Sequence, residues 1–237
     1  MDYLKATRTA TYGFLSAIPL FLIYEISILL VNHGSPAGVR VGADVWMKQI
    51  LTAIGAPGMI AVGVAVLAIG VAVFVKDRGR KIPVRASYLA GVVGESALYA
   101  VVVAFLVSST VSVLLAMVPQ SNPGQIGLFA KLSLSVGAGL YEELVFRVIL
   151  VGGMFWLLQR LSDSRRAAYI VAAVTGALLF SAVHYIGVFG DPFTIGSFLF
   201  RFMFGLAMNV IFLVRGFGVA AWTHALYDVM VVTHLLG

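Results

Sequence analysis

The chain is a succession of long apolar runs separated by short polar ones. Runs long enough to cross a bilayer occur at about 11–32, 57–75, 87–118, 126–158, 167–188, 195–214 and 217–236. A spanning helix needs roughly 20 such residues. The pattern therefore predicts an all-α fold: a polytopic transmembrane helical bundle of seven spans. The third and fourth runs are overlong, which calls for tilt, a kink or an extension beyond the bilayer. Between the first two runs, "VGADVWMKQILTAIG" (residues 41–55) has apolar residues at helical spacing. It predicts a helix lying along the interface, with Trp46 as its anchor. An eighth span follows if the third run or the 42–54 helix is re-entrant.

Composition agrees with the pattern. Of the 237 residues, 61% are hydrophobic and only 11% charged, against roughly a quarter charged in an average soluble domain. The mean hydropathy is +1.02. A soluble globule with so little polar surface would precipitate, so this is the composition of an integral membrane protein. The 25 glycines suit helix packing in lipid, where small residues let backbones approach. The absence of cysteine excludes disulfides and thiolate metal sites. No internal repeat or linker divides the chain, so 1–237 reads as one integral membrane domain. No cleavable signal peptide stands out.

The net charge of +6 belongs to segment ends rather than to a nucleic-acid-binding stripe. Lys5 and Arg8 precede the first run. Lys76, Arg78, Arg80, Lys81 and Arg85 follow the second. Arg160, Arg165 and Arg166 follow the fourth, and Arg215 the sixth. Placing all of these in the cytoplasm satisfies the positive-inside rule. The N-terminus is then inside, and the nearly uncharged loop "PQSNPGQIG" (119–127) is outside with Asp191. Arg40 and Lys48 fall outside as mild exceptions. The expected location is the plasma (inner) membrane of a prokaryote.

The informative residues are the ionisable groups inside the spans, because a charge at the bilayer centre costs about 2.5–3.5 kcal/mol or more. They are Glu25, Glu95, Lys131, Glu142, Glu143, Arg147, His184, Arg201, His224 and Asp228, with His234 near the chain end. Glu25 and Glu95 are expected to pair with Lys131 or Arg201. Arg201 is also placed to meet a substrate carboxylate.

Three motifs stand out. In "YEELVFRVIL", Glu143 and Arg147 are four apart on one helical face and can pair. Glu142 is turned about 100° from Glu143 and can face a cavity, suited to proton transfer. In "FSAVHY", Phe180 and His184 share a face. In "WTHALYDV", His224 and Asp228 share one. Each alone also reads as an ion pair or hydrogen-bonded packing group. Together they would bring two carboxylates, two imidazoles and a further oxygen to one polar intramembrane cavity. Such a set can activate water and stabilise an oxyanion, or bind a metal.

The order EExxxR, FxxxH, HxxxD resembles the CPBP family, the CAAX-protease and bacteriocin-processing (Abi) group that includes type II CAAX prenyl endopeptidases. The resemblance covers about 126–236. It implies an intramembrane endopeptidase acting on a membrane-associated, lipidated or hydrophobic C-terminal protein or peptide. By motif position, Glu142 would activate the attacking water, with Glu143 and Arg147 as the second acid and its supporting arginine. His184 would hold or polarise the water, and His224 with residue 228 would stabilise the oxyanion. The family usually has Asn at that last position, where this chain has Asp228. An ionised Asp would repel an oxyanion, so Asp228 must be protonated, pair with His224 or do another job.

The absence of HExxH, of a serine in GxSG context ("GESA" at Gly94 does not fit) and of GxGD removes the other intramembrane protease types. The preferred reading needs no cofactor. If a divalent metal such as zinc is used, Glu143, His184 and His224 are its candidate ligands. The competing readings are a proton- or ion-coupled transporter, weakened by the lack of an inverted repeat, and a non-catalytic immunity or partner protein. Expected partners are the peptide substrate and the lipid bilayer, with no nucleic acid. The sequence does not set the oligomeric state. One geometric difficulty stands against the site. On straight spans, His184 lies near the outer end of its helix and His224 nearer the cytoplasmic end of its own, a depth difference of more than roughly 10 Å.

Overall fold

A computed structural model of the chain describes residues 1–33, 38–55, 59–114, 127–187 and 190–235. The loop "PQSNPGQIG", apart from Gly127, lies outside them. The described residues form helices and no strand. In chain order these are α1 (Tyr3–Thr7), α2 (Ala10–Val31), α3 (Gly42–Ala53), α4 (Met59–Asp77) and α5 (Ala86–Leu114). A continuous helix, Leu128–Leu161, follows. It begins as α6 (Leu128–Gly137), passes through π-helical stretches at Ala138–Glu142 and Leu144–Val151, and ends as α7 (Gly152–Leu161). The remaining helices are α8 (Arg165–Val183), α9 (Ile195–Arg215) and α10 (Phe217–Val232).

Every predicted apolar run forms a helix, and so does the 42–54 segment. Five helices among the described residues are long and apolar enough to cross a membrane: α2, Ala86–Thr110 within α5, Leu128–Leu161, α8 and α9. The expected seven or eight spans go beyond these five. Helix α10 has 16 residues and is about 24 Å long, short of a hydrocarbon core of roughly 30 Å.

Local signals set several helix starts. Asp2, Thr9, Ser164 and Thr194 cap α1, α2, α8 and α9, each accepting the backbone N–H three residues on. Gly216 is the single residue between α9 and α10. Its φ of 88° is open to glycine at little cost and lets the chain reverse at once.

Helix α10 lies between two core clusters. Ala221 and Ala225 pack with Leu20, Tyr24, Ile28 and Leu140 on one side. Tyr227 packs with Val103, Phe146, Phe180 and Phe204 on the other. Its run of small residues allows this central position. One close approach is to the first π-helical stretch, where a Cβ on Gly139 would lie 2.6 Å from the Ala221 carbonyl oxygen. Polarity is distributed inside out. Glu143 and Arg147 are 0% and 1% exposed, while Phe105 is 71% exposed, as expected where the surrounding solvent is hydrocarbon.

The remaining buried charges are paired, but with different partners from those expected. Glu25 meets Lys48 at 3.0 Å and Arg40 at 3.5 Å, and Asp44 meets the same two cations at 2.7 and 2.8 Å. Tyr24 donates to Asp44 and Tyr141 to Glu25. The two basic residues that broke the charge rule thus neutralise two acids, one of them out of sight of a local pattern search at a separation of 23 residues. Arg40 is held charged: burial disfavours its cation, but the Asp44 contact outweighs this and raises its pKa. Glu95 is gripped by Arg215 through both carboxylate oxygens, with Tyr3 donating to it as well. Lys131 and Arg201 serve neither acid.

Candidate active site

The EExxxR motif lies where the helix widens. Gly152 N–H donates to the Arg147 carbonyl, five residues back, the wide hydrogen-bond spacing of a π-helix, which is often found at functional sites. Wider winding turns successive side chains by less than the 100° of an α-helix, so Glu142 and Glu143 diverge less around the axis. They still address different partners.

Glu143 is fully buried and held from two sides. Its Oε2 meets Arg147 Nε at 3.1 Å, the expected i,i+4 pair. Its Oε1 accepts from His224 Nδ1 at 2.8 Å. Arg147 in turn donates to the Gly205 carbonyl and lies over the Phe180 ring at 4.6 Å. Helices α6–α7, α8, α9 and α10 are thus tied around one buried pair.

Each imidazole has one nitrogen committed. His184 Nδ1 donates to the Phe180 carbonyl at 2.7 Å, since a carbonyl can only accept. His224 Nδ1 faces the Glu143 carboxylate. Both free Nε2 atoms then point at the same oxygen, Glu142 Oε2, at 3.9 Å from His184 and 4.0 Å from His224. These gaps exceed a direct hydrogen bond and match what a bridging water spans. Asp228 Oδ2 lies 3.6 Å from His224 Nε2. All four groups open onto a cavity of about 380 Å³, whose walls include Phe200, Phe204, Tyr227 and Arg201.

The depth conflict expected from straight spans is not found. Helix α8 ends at Val183, and His184 is its C-cap rather than a residue of a span reaching 188. Its ring folds back to the Phe180 carbonyl, one turn toward the helix start. Phe180 packs against both imidazoles, with centroids 4.9 Å from His184 and 6.2 Å from His224.

All six residues singled out from the sequence therefore meet, in two layers: Glu143 and Arg147 behind His224, and Glu142, His184, His224 and Asp228 at the cavity. The three candidate metal ligands fare differently. Glu143 has both oxygens engaged by His224 Nδ1 and Arg147, so only His184 and His224 of that set present a nitrogen to the cavity. Among the described residues no group of three or more acidic or imidazole side chains has metal-holding geometry. The sequence reading missed the aromatic wall. Phe200 and Phe204 are four apart on α9, and that spacing was the available signal. Arg201 is bound to the Tyr185 hydroxyl at 2.8 Å and to Asp191.

Apolar helices with a polar cavity among them define a multi-pass integral membrane protein. Residues 124–230 match the family model described as "Type II CAAX prenyl endopeptidase Rce1-like". The match covers less than half of the chain and supports assignment to the CPBP/CAAX-protease family, which the three motifs resemble; that family implies a peptidase of the intramembrane CAAX type. Comparison with curated proteins and with solved structures gave no match.

Proposed function

We propose that the chain is an endopeptidase that hydrolyses a peptide bond of a membrane-associated protein or peptide with a water activated by Glu142. The observation that carries this reading is the convergence of the two free imidazole nitrogens on one Glu142 oxygen, at one-water distances.

The chemistry follows from which atoms are free. Glu142 takes a proton from the water as its oxygen bonds to the scissile carbonyl carbon, and the carbonyl becomes an oxyanion. His184 Nε2, unprotonated in the neutral tautomer set by Phe180, accepts the water's second hydrogen and orients it. His224 has its Nδ1–H on Glu143, so only its imidazolium form offers Nε2–H to the oxyanion. Glu143 holds that ring in place, and Arg147 balances Glu143. Collapse of the tetrahedral species breaks the C–N bond, and Glu142 passes its proton to the leaving amine. Asp228 sits beside His224 Nε2 and is assigned to pairing with that imidazole. No step is routed through a metal. Only His184 and His224 of the candidate set would be free to hold one.

We read seven spans, counting α4 and the short, centrally buried α10, with the N-terminus in the cytoplasm of a prokaryote. Two contacts support this orientation. Arg8 donates to the Leu213 carbonyl and Thr11 to Asp77, which gathers the basic ends of α2, α4 and α9 at one face. The substrate is a lipidated or hydrophobic C-terminal segment.

The test is cleavage of membrane-anchored peptide libraries by the purified protein in liposomes. Cleavage by the wild type that disappears in Glu142→Gln, with helicity and melting unchanged, is the expected result. A wild type that cuts nothing across broad libraries yet drives proton-coupled flux would replace this reading with a transporter.

A further inference from the structure

On the opposite side of the π-helical segment from the Glu142 cavity lies a second and larger space, about 990 Å³, at the upper end of the range of ligand pockets. Its floor is α2, with Phe14 and Phe21. One wall is α4, with Val66 and Phe74, and the other is the π-helical segment, with Leu144 and Val148. Helix α4 packs on α2 and stands away from the π-helical segment. Phe74 is left 69% exposed.

The two ends of the cleft differ in charge. Lys48 and Asp44, already paired with each other, close one end. Arg8 and Lys76 line the other. Both are exposed, and neither has an acidic partner among the described residues. The acid next to Lys76, Asp77, is taken by Thr11 and by Arg80, and the acid nearest Arg8 in sequence, Asp2, pairs with Lys5. From Arg8 to the level of Phe21, α2 rises about 20 Å, the reach of an extended acyl chain.

We infer that this cleft is a binding site for an anionic phospholipid, whose headgroup phosphate sits at Arg8 and Lys76 and whose acyl chain fills the space between α2, α4 and the π-helical segment. Charge complementarity selects the occupant. An apolar peptide has no use for two unpaired cations at the rim, and a zwitterionic lipid makes less of them. The site is independent of the proteolytic reading, since it rests on none of the residues around Glu142.

The experiment uses the purified full-length protein and compares retention of phosphatidylglycerol and phosphatidylcholine by native mass spectrometry, with melting curves as a check on folding. The wild type is expected to prefer phosphatidylglycerol by roughly tenfold or more. The pair Arg8→Gln, Lys76→Gln is expected to reduce the two lipids to parity. Val66→Trp, which fills the cleft without touching the rim, is expected to abolish tight binding of both. Equal binding of the two lipids by the wild type overturns the inference. So does a phosphatidylglycerol preference that survives the paired substitution or Val66→Trp. Displacement of the lipid by an uncharged hydrophobic peptide as readily as by phosphatidylglycerol itself overturns it too. None of these readings depends on whether the protein cleaves peptides.

Discussion

His224 is held by Glu143 through an Nδ1–Oε1 contact of 2.8 Å, and this one bond aims its other nitrogen at Glu142. Glu142 itself makes no close side-chain bond among the described residues. That asymmetry separates the residue whose loss should end chemistry from those whose loss should end folding.

Replacing Glu142 by Gln keeps size and removes the base. Activity in a peptide-cleavage assay is expected to fall by about 10²–10⁴-fold, with thermal unfolding within about 0.5 kcal/mol of wild type. Undiminished turnover would remove Glu142 from the mechanism.

The Glu143–Arg147 pair should behave in the opposite way. Either Glu143→Gln or Arg147→Met alone leaves a buried charge unbalanced and is expected to cost about 3–5 kcal/mol. The double substitution should cost clearly less than the sum, with a coupling of about 1 kcal/mol or more in a double-mutant cycle. Additive costs would show that the 3.1 Å contact carries no coupling.

Gly139 tests the packing of α10 against the helix that bears the two glutamates. A Cβ there meets the Ala221 carbonyl oxygen and the Ala225 nitrogen, both at 2.6 Å, whereas a Cβ on Gly42 meets nothing within 4 Å. Gly139→Ala is expected to lower stability by about 1–3 kcal/mol through overpacking, and Gly42→Ala to leave melting nearly unchanged. Equal melting shifts for the two would contradict the close approach.

Asp228 stands where the related family usually carries Asn. If its work is to pair with His224, Asp228→Asn keeps an oxygen at the same place and should retain activity to within about tenfold. Asp228→Ala removes it and should cost about 10²-fold or more, in the range of lost acid–base support. Identical kcat/KM for the two variants would separate Asp228 from the reaction.

Much of this was readable in the chain itself. Apolar runs mark every long helix, because hydrocarbon demands them in unbroken stretches. The three motifs name the residues that meet, because a charge inside a span is too costly to be incidental. Two things were not readable. The partner of Glu25 is Lys48, on a helix that local pattern assigns to the interface, and the partner of Glu95 is Arg215, 120 residues away; pairing at that range is decided by tertiary packing. The agreement of His184 and His224 in depth rests on the end of α8 at Val183 and on a ring folded back to the Phe180 carbonyl. Hydrophobic periodicity carries no mark of either.

The grip of Arg215 on the start of the chain has a consequence for how the protein is made. Arg215 donates to Thr7 and to the Leu4 carbonyl, partners 208 and 211 residues earlier, while holding Glu95. During synthesis, α5 therefore enters the membrane well before the cation that neutralises Glu95 exists. Until α9 emerges from the ribosome, an unbalanced carboxylate must wait in or beside the lipid. Membrane integration of this chain should accordingly be late and cooperative, with nascent chains that stop before residue 215 remaining loosely assembled and open to degradation.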